Sequence, residues 1–198
     1  MQYNILIAGV GGQGNLVCGR VIAEAALRQG LRPTIGETFG ASRRGGTVFT
    51  HLRLAERDLG PLIPEGQLDL LLGLEPLETL RGAVKLASSR TTAILSTVRV
   101  ETPESLAGKV AYPKIDDILS SLETLCGAIR AVDPTESLEK IGTMKVLNTY
   151  MLGAIAGDSD LPIKSAILKE TLKDTLGSWE INKAAFEAGM KDVAQSAH

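Results

Sequence analysis

Cysteine is scarce in this chain: two residues, Cys18 and Cys126, among 198. They lie far apart and form no Cys-x-x-Cys pair, whereas a tetrahedral zinc site or an iron–sulfur cluster takes about four such ligands. The chain therefore supplies neither by itself. Positive charge is not in excess either. A formal net charge of −2 leaves no electrostatic footprint for nucleic acid. Long apolar runs are missing, and Leu70–Leu72 with Leu74 falls far short of the ~20 residues that span a bilayer. No basic segment, apolar stretch and cleavage site open the sequence, and a strand-like run starts at Tyr3. The expectation is a cytoplasmic protein without signal peptide or membrane association.

What is there is ordinary for a globular protein, with 44% hydrophobic and 22% charged residues. A chain of this length builds one domain and needs no disulfide to hold it. Aromatic residues are only 4%, yet the mean hydropathy of +0.11 is slightly high. That excess fits an apolar face covered by a partner.

The amino terminus reads as strand, glycine loop and helix. Tyr3 and Ile5–Ala8 form an almost continuous apolar run, as in a strand buried on both faces. Gly9-Val10-Gly11-Gly12-Gln13-Gly14 follows. Leu16, Val17, Val21, Ile22, Ala25 and Ala26 then recur at helical spacing up to a stop at Gly30. Further strands are expected at Arg32–Ile35, Thr47–Leu54, Leu68–Leu74, Thr91–Ser96 and Ala128–Val132. Helices are expected at Pro76–Ala87, Ile115–Leu125, Pro134–Ile141, Lys145–Ala156, Ile163–Leu176 and Glu180–Ala194. Between them, Glu37–Gly46 reads as a polar glycine-rich loop and Val98–Lys114 as irregular. This alternation predicts one α/β domain over residues 1–198, a Rossmann-like, doubly wound and mostly parallel sheet. Residues 144–198 form its helical C-terminal cover.

The first loop contains Gly-x-Gly-x-x-Gly between a strand and a helix. Gly9 makes the turn tight, Gly11 lets an anion approach the backbone, and Gly14 lets helix and sheet pack closely. A nicotinamide site would want an acid at the end of the second strand, but Arg32 and Pro33 bring none and Glu37 comes late. The double glycine is also found in ATP-dependent adenylating enzymes, whose usual zinc cysteines are absent. The residues alone leave three readings open: a dinucleotide site, an adenylating site, or a tight turn with no ligand. The second loop, Ser42-Arg43-Arg44-Gly45-Gly46-Thr47, sets two guanidiniums beside a flexible turn. It reads as an anion clamp or as a solvated basic turn.

Other residues read as structural. His51 has no Ser or Cys nucleophile paired with it, and Cys18 reads as a buried thiol. Gly157-Asp158-Ser159 departs from the Gly-Asp-Gly of a thiamine diphosphate motif and follows a helix, so it reads as a helix-ending loop. Trp179, Ile181 and Phe186 read as packing for the last helix. No metal-ligating set and no catalytic residue is legible. On physics alone this is an α/β binding domain, more a subunit than a free-standing enzyme.

Six strings in order carry a resemblance over nearly the whole chain. They are the first glycine loop; Glu37-Thr38 with Ser42-Arg43-Arg44-Gly45-Gly46; His51-Leu52-Arg53; Pro61-Leu62-Ile63-Pro64-Glu65-Gly66; Leu72-Gly73-Leu74-Glu75-Pro76-Leu77-Glu78; and Asn148-Thr149-Tyr150-Met151-Leu152-Gly153-Ala154. Together they resemble the gamma-type (catalytic domain) subunit of 2-oxoacid:ferredoxin oxidoreductases, and most of all the beta subunit of the indolepyruvate type. The resemblance implies a role within a larger enzyme that decarboxylates a 2-oxo acid, reduces ferredoxin and passes the acyl group to coenzyme A as co-substrate. It further implies that thiamine diphosphate, magnesium and 4Fe–4S clusters reside on a large partner subunit, and that this chain is inactive alone. It assigns a ligand- or partner-facing role to Gly9, Gly11, Gly12, Gln13, Gly14, Ser42, Arg43, Arg44, Gly45 and Gly46, with Glu37 and Asn148 as lesser candidates. Two positions depart from the pattern. Asn15 stands where an apolar residue is expected, and Arg43 where the family often has Gln.

Overall fold

The computed structural model describes residues 1–40, 45–100, 111–157 and 161–195. Strand β1 (Gln2–Val10) shows how the sheet is buried from both sides. Ile5 and Ile7 enter one apolar cluster, while Leu6 and Ala8 enter the other. The same split by alternate residues recurs in β4 (Leu70–Gly73) and β5 (Thr92–Ser96). This is the period of two of a pleated strand, read here against two cores rather than one. Each fully buried Leu or Ile contributes about 1.5–3 kcal/mol.

With β2 (Arg32–Phe39), β3 (Thr47–Ala55) and β6 (Ala128–Val132), the sheet has the order β2-β3-β1-β4-β5-β6. Only β3 runs against the others, pairing antiparallel with both β1 and β2. The pairs β1/β4, β4/β5 and β5/β6 are parallel. The chain winds from β1 to one side and then from β4 to the other, so the topological switch lies between β1 and β4. In such sheets the crevice for ligands opens at the carboxyl ends of the strands on either side of the switch.

Helices cover both faces. On one face lie α1 (Asn15–Arg28) and the C-terminal set α5 (Leu147–Gly157), α6 (Ser165–Thr175) and α7 (Trp179–Gln195). On the other lie α2 (Pro76–Leu86) and α3 (Ile115–Leu125). The short α4 (Thr135–Ile141) ends at Gly142 in a left-handed conformation. Helix α5 is apolar nearly all round, as a helix sealed inside a protein must be. Polar ties pin it to α7: Thr149 donates to Asn182 Oδ1 (2.7 Å), and Tyr150 donates to Asp192 Oδ2 (2.8 Å).

Three expectations need correction. Strand β2 runs on to Phe39, so Glu37 and Thr38 lie in a strand and not in the glycine-rich loop. Their ladder with Thr50 and Phe49 of β3 overrides the weak local preference of Gly36-Glu37. Residues Met144–Val146 form a turn of 3-10 helix before α5 begins, with the Thr143 side chain accepting from the Lys145 N–H. Ile181 is 42% exposed, while Phe186 is fully buried and Trp179 packs partly against the core. Asp158 and Ser159 lie outside the described residues.

Candidate functional site

The reversed strand brings the two glycine loops together. Because β3 is antiparallel to β1, its first residue, Thr47, pairs with the last residue of β1, Val10. The ladder continues past both ends. Gly11 N–H donates to the Gly46 carbonyl (2.9 Å), and Gly45 N–H donates to the Gly11 carbonyl (3.3 Å). Both loops therefore sit at the carboxyl edge beside the switch point.

Gln13 closes the first loop from inside. Its Oε1 accepts from the Val10 N–H (2.7 Å), and its Nε2 donates to the Leu74 carbonyl at the end of β4 (3.1 Å). One side chain thus ties β1 to β4 across the crevice. Gly9 sits beneath it, and a Cβ there would meet Gln13 Oε1 at 2.8 Å.

Gly14 occupies the N-cap of α1 with φ 90° and offers no side chain to the first turn. The first turn also carries no acid. Its N–H groups and the positive end of the helix dipole therefore face the loop without a capping side chain. Asn148, at the start of α5, borders the same spot: a Cβ on Gly14 would lie 2.7 Å from Asn148 Nδ2. The Cys18 thiol donates to the Asn148 carbonyl (3.6 Å), and burial pushes its pKa up to about 12. Asn15, expected to be apolar, is buried and bridges two strands, its Nδ2 donating to the carbonyls of Val48 (3.0 Å) and Ile7 (3.5 Å).

Of the sequence candidates, then, Gly9, Gly11, Gly12, Gln13, Gly14, Gly45, Gly46 and Asn148 gather at one edge. Glu37 does not join them. It lies on β2 opposite Thr50, with β3 between it and β1, so at ~4.8 Å per strand it stands roughly 10 Å away. Ser42, Arg43 and Arg44 lie outside the described residues. His51 is buried and packed as expected: its Nδ1 accepts from the Ile63 N–H (3.4 Å), which places the ring proton on Nε2, 3.4 Å from Thr38 Oγ1. Burial, with Lys85 nearby, holds its pKa below the ordinary histidine value.

One residue at this edge escaped sequence reasoning. Glu75 follows β4, is 1% exposed, and caps α2 by accepting from the Glu78 N–H (2.8 Å). Its other oxygen accepts from the Tyr112 hydroxyl and from the Val100 N–H (3.5 Å). Tyr112 in turn accepts from the Leu77 N–H (3.2 Å). An acid directly before a proline at the first helical position was the available signal; Tyr112 and Val100 are too distant in sequence to be linked to it. Burial pushes the Glu75 carboxyl above its ordinary pKa, against the pull of the Tyr112, Glu78 and Val100 hydrogen bonds. The folded state thus binds this proton more tightly than the unfolded chain does. Stability from Glu75 grows as pH falls from neutrality through the raised folded pKa towards the ordinary value. Urea midpoints of the protein and of Glu75→Gln, compared at pH 7 and pH 5, are expected to show the variant losing ground at the lower pH. A difference that stays constant would contradict this placement of the carboxyl.

Fold and site together define a class: a doubly wound α/β domain with a glycine-lined edge at its switch point. The family model described as pyruvate ferredoxin/flavodoxin oxidoreductase matches residues 4–191, and the chain belongs to that family. It is 36% identical to the indolepyruvate oxidoreductase subunit IorB of Methanothermobacter thermautotrophicus, over 99% of this chain and 100% of the relative. It is likewise 36% identical to the subunit of the same name from Archaeoglobus fulgidus, over 96% and 94%. Among solved structures, the gamma subunit of a keto/oxoacid ferredoxin oxidoreductase from Geobacter sulfurreducens has the same fold. It has a TM-score of 0.70 at 20% identity, over 98% of this chain and 99% of that one. The chain also matches 32% of a larger chain, that of 2-oxoglutarate:ferredoxin oxidoreductase from Magnetococcus marinus, with a TM-score of 0.72 at 21% identity.

Among the described residues the side chains offer no cluster site. Among the described residues no three His, Cys, Asp or Glu converge. Both thiols are buried, and they lie in the apolar clusters on opposite faces of the sheet, whereas a cluster takes about four thiolates together. Among the described residues no helix is long and apolar enough to cross a membrane.

Proposed function

We propose that this chain is the small subunit of a 2-oxoacid:ferredoxin oxidoreductase whose donor is indolepyruvate or another aryl pyruvate, with an iron–sulfur protein as acceptor. The observation that carries the reading is the end-to-end match to subunits named for indolepyruvate oxidoreductase at 36% identity. Common gamma subunits named for pyruvate and ketoisovalerate oxidoreductases match at 26–27%, which supports the aryl donor over those. Thiamine diphosphate, magnesium and 4Fe–4S clusters are assigned to a large partner subunit, and this chain is inactive alone. Coenzyme A is the co-substrate.

Within that complex the glycine edge holds an anion. The uncapped start of α1 supplies donors, and Arg43 and Arg44 supply charge. The shared chemistry is a phosphate, from coenzyme A or from the margin of the thiamine pocket. A free-standing dinucleotide enzyme is disfavoured by geometry. The strand β3 separates Glu37 from β1, beyond a ribose bound there.

Steady-state kinetics of the reconstituted complex carrying Arg43→Ala with Arg44→Ala test the anion role. The KM for coenzyme A is expected to rise about tenfold or more, as for loss of charge-assisted hydrogen bonds. A shift in thiamine diphosphate saturation instead would place the phosphate in the thiamine pocket. If neither moves, the edge holds no anion. A kcat/KM for pyruvate equal to that for indolepyruvate would overturn the aryl donor.

A further inference from the structure

One surface has no role in the glycine edge. Between the turn end of the β2–β3 hairpin and the outer side of α2 runs a groove of about 430 Å³. Phe39, Phe49, Leu80 and Val84 line it. Val84 is 67% exposed, so a large apolar side chain meets water here. Residues 81, 84 and 85 fall at i, i+3 and i+4 and share one side of α2, which sets two cations beside Val84. Arg81 is held by Glu78 Oε1 (2.6 Å) and reaches Thr47 Oγ1 (3.4 Å), while Lys85 Nζ lies 5.4 Å from the Phe49 ring centroid. Gly40 and Thr47 close one end, joined by the Gly40 N–H to the Thr47 carbonyl (2.8 Å). The groove therefore borders the glycine edge.

The lining selects among occupants. A small-molecule site orients its ligand with a few convergent buried polar groups. Here the charged groups stand at the rim, and the Arg81 side chain is 49% exposed. A second copy docked symmetrically through the groove would bring a second Lys85 ammonium to the same rim, which like-charge repulsion opposes. An apolar side chain flanked by carboxylates satisfies both walls and rim. We propose that the groove receives an apolar, acid-flanked segment of the large partner subunit. This rests on the subunit reading above and adds the place and chemistry of the contact.

The test is titration of the full chain into the large subunit by calorimetry. Val84→Glu is expected to weaken binding about 100-fold, as for a carboxylate forced into a desolvated contact. Lys85→Glu is expected to weaken it about tenfold, with a shallower salt dependence. Leu27→Glu, at the far end of α1 where Leu27 is 55% exposed, is expected to bind as the parent does. Val84 and Lys85 project from the outer side of α2, so thermal midpoints of these variants should stay close to that of the parent. Parent-like affinity in both groove variants would overturn the proposal and leave the subunit reading intact. A loss in Val84→Glu without one in Lys85→Glu would remove the acid from the occupant and overturn the proposal as stated. Loss of self-association by the isolated chain, with partner affinity unchanged, would assign the groove to a second copy. Failure of the parent chain to bind the large subunit would overturn the subunit reading and the proposal together.

Discussion

Replacing Gly189 with valine is expected to destabilise the protein by about 4 kcal/mol or more, out of a total of about 5–15 for a domain. The reason is backbone contact between α5 and α7. A Cβ at Gly189 would fall directly onto the Tyr150 carbonyl, and one at Gly153 onto the Phe186 carbonyl. Neither obstacle is the end of a side chain that could swing away. The helices would have to separate, and with them the buried Thr149–Asn182 hydrogen bond and the burial of Tyr150 and Phe186. Overpacking of this kind costs more than a typical core substitution because the whole cover must shift. Chemical denaturation is expected to show a lowered midpoint or no cooperative transition. A midpoint within about 1 kcal/mol of the parent would contradict the close approach of these helices.

The second large effect falls on activity. Gly14→Val is expected to reduce turnover of the assembled complex roughly 100-fold, the scale of a displacement of about 1 Å in a positioning group. Gly14 holds φ 90°, which a β-branched residue adopts only under strain of about 1–2 kcal/mol. Its side chain would also press on Asn148, starting 2.7 Å from Nδ2. Relief of both requires the start of α1 to move away from Gly11–Gln13. The variant is expected to remain folded and bound to its partner, since Gly14 lies outside the α5–α7 seam and away from the α2 groove. Full turnover by a folded Gly14→Val complex would show that the geometry of this edge does not matter to the reaction.

Much of this was legible in the sequence because the signals are local. Ile5–Ala8 and Leu70–Leu72 are apolar on both pleats, which marks strands buried from two sides. Pro76 and Gly142 punctuate helices at the positions where the structure places a start and an end. What was not legible depends on partners distant in the chain. No local pattern tells that β3 is inserted, reversed, between β2 and β1, yet that insertion draws Gly45–Gly46 to Gly11 and sets Glu37 apart. Gln13 read as a ligand- or partner-facing residue, and its reach to Leu74 exists only once β4 stands beside β1. Glu75 was visible within one of the six strings, but its role depends on Tyr112 and Val100, which only the fold brings to it. Ile181 was misjudged for the same reason: helical spacing marks a face, and the neighbours decide whether that face is covered.

On the proposed subunit reading, this chain is an indispensable but incomplete part of an enzyme. The most direct measurement is ferredoxin reduction with indolepyruvate and coenzyme A, using this chain alone, the large thiamine- and cluster-bearing subunit alone, and the two together. The account predicts turnover only when both are present. Turnover by this chain alone, or a large subunit running at full rate without it, would contradict the claim.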